Sequence, residues 1–190
     1  MMRAMTDAHL LGGERSSGGD PVHLDDALDR RIVAAQIGRH PRAMAGVGAR
    51  CVFGMPAVTR QAPTDDSGRP FPTACYLTCP HLVRQIDRLE AAGGVRRYEE
   101  LLANDDSLRA ATDDAHARHR ALGGRDANIA AASDPTRLKC LHAHAAFALA
   151  EGDHPLGDRV LAEAAPRWCD DARCVPLAAA PPTTSPTAPQ

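Results

Sequence analysis

The chain has 190 residues, a net charge of −2 and only 3% aromatic side chains. The near-neutral balance excludes the basic surplus of a general nucleic-acid binder, so no nucleic-acid partner is expected. No stretch approaches the about 20 apolar residues of a transmembrane helix, so membrane insertion is not expected either.

Residues 1–21 read as a flexible tail, with Gly12, Gly13, Ser16 to Gly19 and Pro21. Asp7 and Glu14 follow Arg3 too closely for a signal-peptide core, which makes the cytoplasm the default compartment. There, six cysteines are expected to be free thiols, metal ligands or redox groups rather than disulfides. Residues 22–175 suit a single α+β domain, large enough to bury roughly 70% of its unfolded surface without a metal or disulfide. Residues 176–190 hold five prolines among Ala and Thr, the composition of a disordered tail.

Leu24, Leu28, Ile32, Val33 and Ile37 share a face and predict a first helix, closed by Gly38 and Pro41. Alternation at Val47, Ala49 and Cys51, then Ala57–Arg60 and Ala74–Thr78, predicts a small three-stranded antiparallel sheet. About five to six helices should pack with it. Pro80 suits the first turn of a helix carrying Leu82, Val83, Ile86 and Leu89. Further helices are predicted over 95–102, 107–122, 134–150 and from Pro155 to Pro166. On the polar 107–122 helix, Asp113, Asp114, His116 and His119 read as a solvated face.

The chemistry-bearing positions are dispersed. Thr78-Cys79-Pro80 places a thiol where a strand ends and a helix begins, a location that lowers a thiol pKa and suits a ligand or nucleophile. Cys75, four residues earlier on a strand, stands about 13 Å away and reads as packing. In a helix over 134–150, Cys140 and His142 would lie about 160° apart around the axis, so only one of the two would reach a given ion directly. His144 stands four residues from Cys140, a weak chelating pair. Cys169 and Cys174 are close enough to reach one metal, or to be surface thiols near a terminus. Lys139, the only lysine, and Arg50 are candidates for holding an anionic substrate or cofactor.

Several ordered motifs carry a family resemblance. They are Gln36-Ile37-Gly38-Arg39-His40-Pro41-Arg42, Ala49-Arg50-Cys51, Gly68-Arg69-Pro70-Phe71-Pro72-Thr73, Tyr76-Leu77-Thr78-Cys79-Pro80, Arg137-Leu138-Lys139-Cys140-Leu141-His142, Pro155-Leu156-Gly157-Asp158 and Trp168 before Cys174-Val175. Over roughly residues 32–175 the chain resembles the actinobacterial domain-of-unknown-function family DUF501. The resemblance implies no particular reaction. It implies that Cys51, Cys79, Cys140, His142 and Cys174 occupy positions where the family carries those types, and that Cys75 and Cys169 do not. The chain departs from the pattern at His154, where the family usually has Asn, and over Ala131–Pro135. Relatives tend to be encoded near a septum-formation initiator and an exopolyphosphatase, which suggests a cell-division partner.

Three readings follow. In the first, Cys51, Cys79, Cys140 and Cys174, with His142 as a fifth ligand or supporting donor, hold an iron–sulfur cluster or zinc. In the second, a thiol-dependent enzyme uses Cys79 as nucleophile and His142 as base. In the third, the chain is a non-catalytic interaction module linked to cell division or the envelope.

Overall fold

The computed structural model describes residues 26–123, 129–131 and 134–179. The expected tail over 1–21 and the 180–190 part of the expected C-terminal tail lie outside the described residues. Helix α1 (Asp26–Ile37) buries Ile32 and Val33 and stops at Gly38, whose φ of +68° is the left-handed geometry that ends a helix. Strands β1 (Met44–Arg50), β2 (Pro56–Gln61) and β3 (Cys75–Leu77) then form an antiparallel sheet in that order. Val47 pairs with Thr59, and Val58 with Leu77. The long β2–β3 connection is pinned by Asp65, whose carboxylate accepts the Ser67 and Arg69 amides at 3.0 Å each.

Seven helices are described in all: α2 (Pro80–Ala91), α3 (Gly94–Asn104), α4 (Asp106–Gly123), α5 (Leu141–Glu151), α6 (Pro155–Glu163) and α7 (Val175–Ala179) follow α1. With the three-stranded sheet they make the α+β class expected from the pattern. None is long and apolar enough to cross a membrane. Helix α7 starts at Val175, the last residue of the expected domain, runs into the expected tail and packs against α1.

The 134–150 helix is corrected. Asp134–Leu138 is a strand, β5, paired with β4 (Ala130–Ala131), and α5 starts only at Leu141. The Asp134-Pro135 pair resembles a helix start, but tertiary partners capture the backbone. The Lys139 amide donates to the Ile129 carbonyl at 3.1 Å, and the Leu138 amide donates to the Glu99 carboxylate of α3 at 3.1 Å. Cys140 is therefore the extended N-cap of α5 (φ −166°, ψ 154°), and the 160° separation from His142 does not apply.

Helix α5 is the centre of the core. Its small residues Ala143, Ala145, Ala146 and Ala148 are buried, which lets the sheet and α6 approach on different sides. Phe147 and Leu141 are fully buried, each contributing about 1.5–3 kcal/mol through apolar burial. Gly157 of α6 sits directly on α5. A Cβ there would lie 2.5 Å from the His144 carbonyl oxygen and 2.6 Å from the Ala148 Cβ. Gly157→Ala is expected to lower stability by about 1–3 kcal/mol or more, read as a drop in the urea midpoint, because the obstacle is backbone rather than a movable side chain.

The solvated-face reading of α4 also needs correction. Asp113 and Asp114 are exposed, but His116 and His119 turn inward and join His144 and His154 in a buried group around Phe147. His119 Nε2 accepts the Ala74 amide at 3.1 Å, so its proton sits on Nδ1. His144 Nδ1 and His154 Nε2 share one hydrogen bond at 2.9 Å. Burial lowers the pKa of all four rings, to about 4 for His119 and His154.

Candidate metal centre

Three of the dispersed cysteines meet. The β1–β2 turn brings Cys51, the N-cap of α2 brings Cys79, and the loop before α7 brings Cys174 to one pocket, together with Cys169. Gln36, Phe53, Met55, Pro56 and Trp168 also line it, as do the polar residues His81 and Arg173. All six cysteines of the chain are free thiols.

Each sulfur has a local reason to be there. Arg50 holds the Cys51 turn through a two-pronged ion pair to Asp29 of α1 (2.9 and 2.6 Å) and a 3.0 Å bond to the Gly54 carbonyl. Arg50 is thus engaged by protein groups rather than facing an anionic ligand. Cys79 follows the end of β3 because its amide and that of Thr78 both donate to the Ala57 carbonyl. The closing loop is tied down where His81 Nε2 donates to the Pro166 carbonyl at 2.7 Å, and where Cys174 packs beside Ile32 and Met55.

Burial raises the Cys79 thiol above its ordinary pKa, although the His81 and Leu82 amides at the start of α2 pull it down. The lowering expected at a helix N-terminus is therefore outweighed by desolvation. Cys174 is raised for the same first reason, and neighbouring Cys169 and Cys51 add to it. Cys75 faces the apolar core on β3 and is pushed up to about 12 by burial, which agrees with its reading as packing.

Cys140 and His142 do not line this pocket; they meet Glu90 instead. Cys79 caps the start of α2 and Glu90 lies in its last turn, about 16 Å further along the axis at 1.5 Å per residue. The five sequence candidates thus divide between the two ends of α2. Glu90 was not legible as a site residue, because its role depends on α5 starting at Leu141 rather than earlier. Lys139, next to Cys140, is exposed and reaches the Pro72 carbonyl at 3.5 Å.

In a comparison with protein families, the one described as "Protein of unknown function (DUF501)" matches residues 47–162. The chain belongs to this family. The match includes Cys51, Cys79, Cys140 and His142, while Cys169 and Cys174 follow it in sequence. No curated protein and no solved structure matches the chain.

Proposed function

We propose that this member of the family is an iron–sulfur protein whose cluster is held by Cys51, Cys79, Cys169 and Cys174, in a reducing cytoplasm that keeps the thiols free. The observation that carries the reading is the convergence of four cysteines from three separate parts of the chain on one largely apolar pocket. Cys169, set aside by the family pattern, takes the place first given to Cys140.

Thiolates on one tetrahedral zinc stand about 3.8 Å apart, from Zn–S bonds of about 2.3 Å. Among the described residues, no three of the pocket's sulfurs lie within 4.8 Å of one another, so the resting pocket is not a preformed four-thiolate zinc site. The donor set fits: four thiols lining a largely apolar pocket, with the Leu82 and His81 amides offsetting part of the cost that burial puts on the Cys79 thiolate. The gap holds about one water, so loading requires the 165–174 segment, which has no helix or strand, to move outward. Cluster binding is therefore coupled to the arrangement of that segment. When bound, a cluster supplies one-electron transfer; the chain supplies exclusion of water through Phe53, Met55 and Trp168 and positive potential from the α2 amides.

The geometry gives less support to a thiol enzyme built on Cys79 and His142. Cys79 is buried in the pocket at the start of α2, while His142 stands with Glu90 at the other end of that helix. The test is anaerobic reconstitution with iron and sulfide. Cys79→Ser and Cys174→Ser are expected to lose the cluster, and Cys75→Ser to keep it. Retention of a full cluster by Cys174→Ser, or zinc alone at four-thiolate stoichiometry, would refute the reading.

A further inference from the structure

The Glu90–Cys140–His142 group has the features of a second and different site. One ligand atom from each lies within 4.8 Å of the others. His142 Nδ1 faces Glu90 Oε1 at 3.2 Å. Its other nitrogen, Nε2, lies 3.3 Å from the Val83 carbonyl, an oxygen that can only accept, so Nε2 carries a proton and Nδ1, which faces Glu90, is the atom that would bind a metal, releasing its own proton as it does so. Asp87 Oδ1 lies 3.3 Å from the same Nε2. A carbonyl and a carboxylate behind the outer nitrogen fix the ring's tautomer and raise the basicity of the inner one, the arrangement found behind metal-bound imidazoles.

Glu90 is held as firmly. Its Oε1 accepts the Leu141 amide at 2.6 Å, the first residue of α5. That leaves the rest of the carboxylate available while directing it at the α5 N-terminus. Cys140, the N-cap of this eleven-residue helix, places its side chain beside His142. Side-chain exposures of 22% for His142 and 25% for Glu90 put the group at the rim, where water has access.

We propose that Glu90, Cys140 Sγ and His142 Nδ1 form a mononuclear site for a zinc-class divalent ion with one coordination position open to solvent. The donor set is mixed sulfur, nitrogen and oxygen, which suits zinc and cobalt and not a hard ion such as magnesium. Three protein ligands with an open fourth position are the pattern of a catalytic rather than a closed structural zinc. The substrate class it predicts is one with an oxygen that the ion polarises, or one attacked by the ion's bound water. This inference is independent of the cysteine pocket, because the two sites use no residue in common.

The test is an anaerobic Co²⁺ titration of chelated full-length protein carrying Cys79→Ala, which removes the other site. One Co²⁺ per chain with a thiolate charge-transfer absorption is expected. Cys79→Ala/Cys140→Ala should lose that absorption and most of the affinity. Because Cys140 caps a core helix, Cys79→Ala/Glu90→Gln provides a milder arm: a side chain of the same size should still accept the Leu141 amide while binding Co²⁺ at least 10-fold more weakly. Asp87→Asn, a positioning change, should weaken binding about 10–100-fold without altering the absorption. No uptake by Cys79→Ala, an absorption that survives Cys140→Ala, or unchanged affinity in Glu90→Gln would overturn the site. So would fast iodoacetamide labelling of Cys140 that saturating Co²⁺ does not slow, which would point to thiol catalysis instead.

Discussion

Stability should fall steeply as pH drops from 6.5 to 4. His119 and His154 have ordinary imidazole values near 6.5 in the unfolded chain and about 4 in the fold, with burial as the first cause. Between those values the unfolded chain binds more protons, so unfolding is favoured by acid. The stability they contribute is present in full above pH 6.5 and is lost as pH falls through about 4. Each ring accounts for on the order of 3 kcal/mol over that window, at about 1.4 kcal/mol per pKa unit. Arg118 and Arg120 oppose protonation further, while Asp113 favours it at His116. His142 has the opposite sign in chelated protein. Burial disfavours its charge, but Cys140, Glu90 and the Val83 carbonyl outweigh that and hold it at about 9. Its contribution is present below pH 6.5 and is lost as pH rises through about 9. Urea midpoints across pH 4–9 should therefore peak near neutrality. His154→Asn should flatten the acid limb by about one proton while keeping a hydrogen-bonding partner for His144. A flat acid limb would show that these rings are hydrated rather than buried.

Arg50→Ala should cost about 3–5 kcal/mol, because it leaves the Asp29 carboxylate buried without its partner. Asp29 has 2% exposure, and its two oxygens both receive Arg50 nitrogens. The expected readout is a large fall in the urea midpoint, accompanied by weaker cluster retention, since the same guanidinium holds the Gly54 carbonyl of the Cys51 turn. Replacing both partners, as Arg50→Met with Asp29→Leu, should recover much of the stability by removing the unpaired charge. An Arg50→Ala chain within about 0.5 kcal/mol of wild type would show that water reaches Asp29.

Most of the helices and the meander were legible because their signals are local. Leu28, Ile32 and Val33 repeat at helical spacing, Pro80 marks a first turn, and the glycines and prolines between them mark breaks. The 134–150 segment was not, because Pro135-Thr136-Arg137 is drawn into a strand by groups as distant as Glu99, which no local window contains. That single boundary decided whether Cys140 and His142 oppose each other or converge, and it hid Glu90. His116 and His119 misled for a related reason. On a charged helix they resemble surface residues, and only the arrival of α5 and α6 makes their side the inner one. The cysteines were legible as chemistry but not as a set. Cys169 depends on the fold of the closing loop, which has no periodicity to read.

Iron, acid-labile sulfide and zinc per chain in full-length protein purified without oxygen, read together with its visible spectrum, decide whether the four pocket cysteines hold a cluster. A coloured protein with matching iron and sulfide, bleached by Cys79→Ser, is the expected result. A colourless chain that stays free of iron and sulfide after anaerobic reconstitution would contradict it.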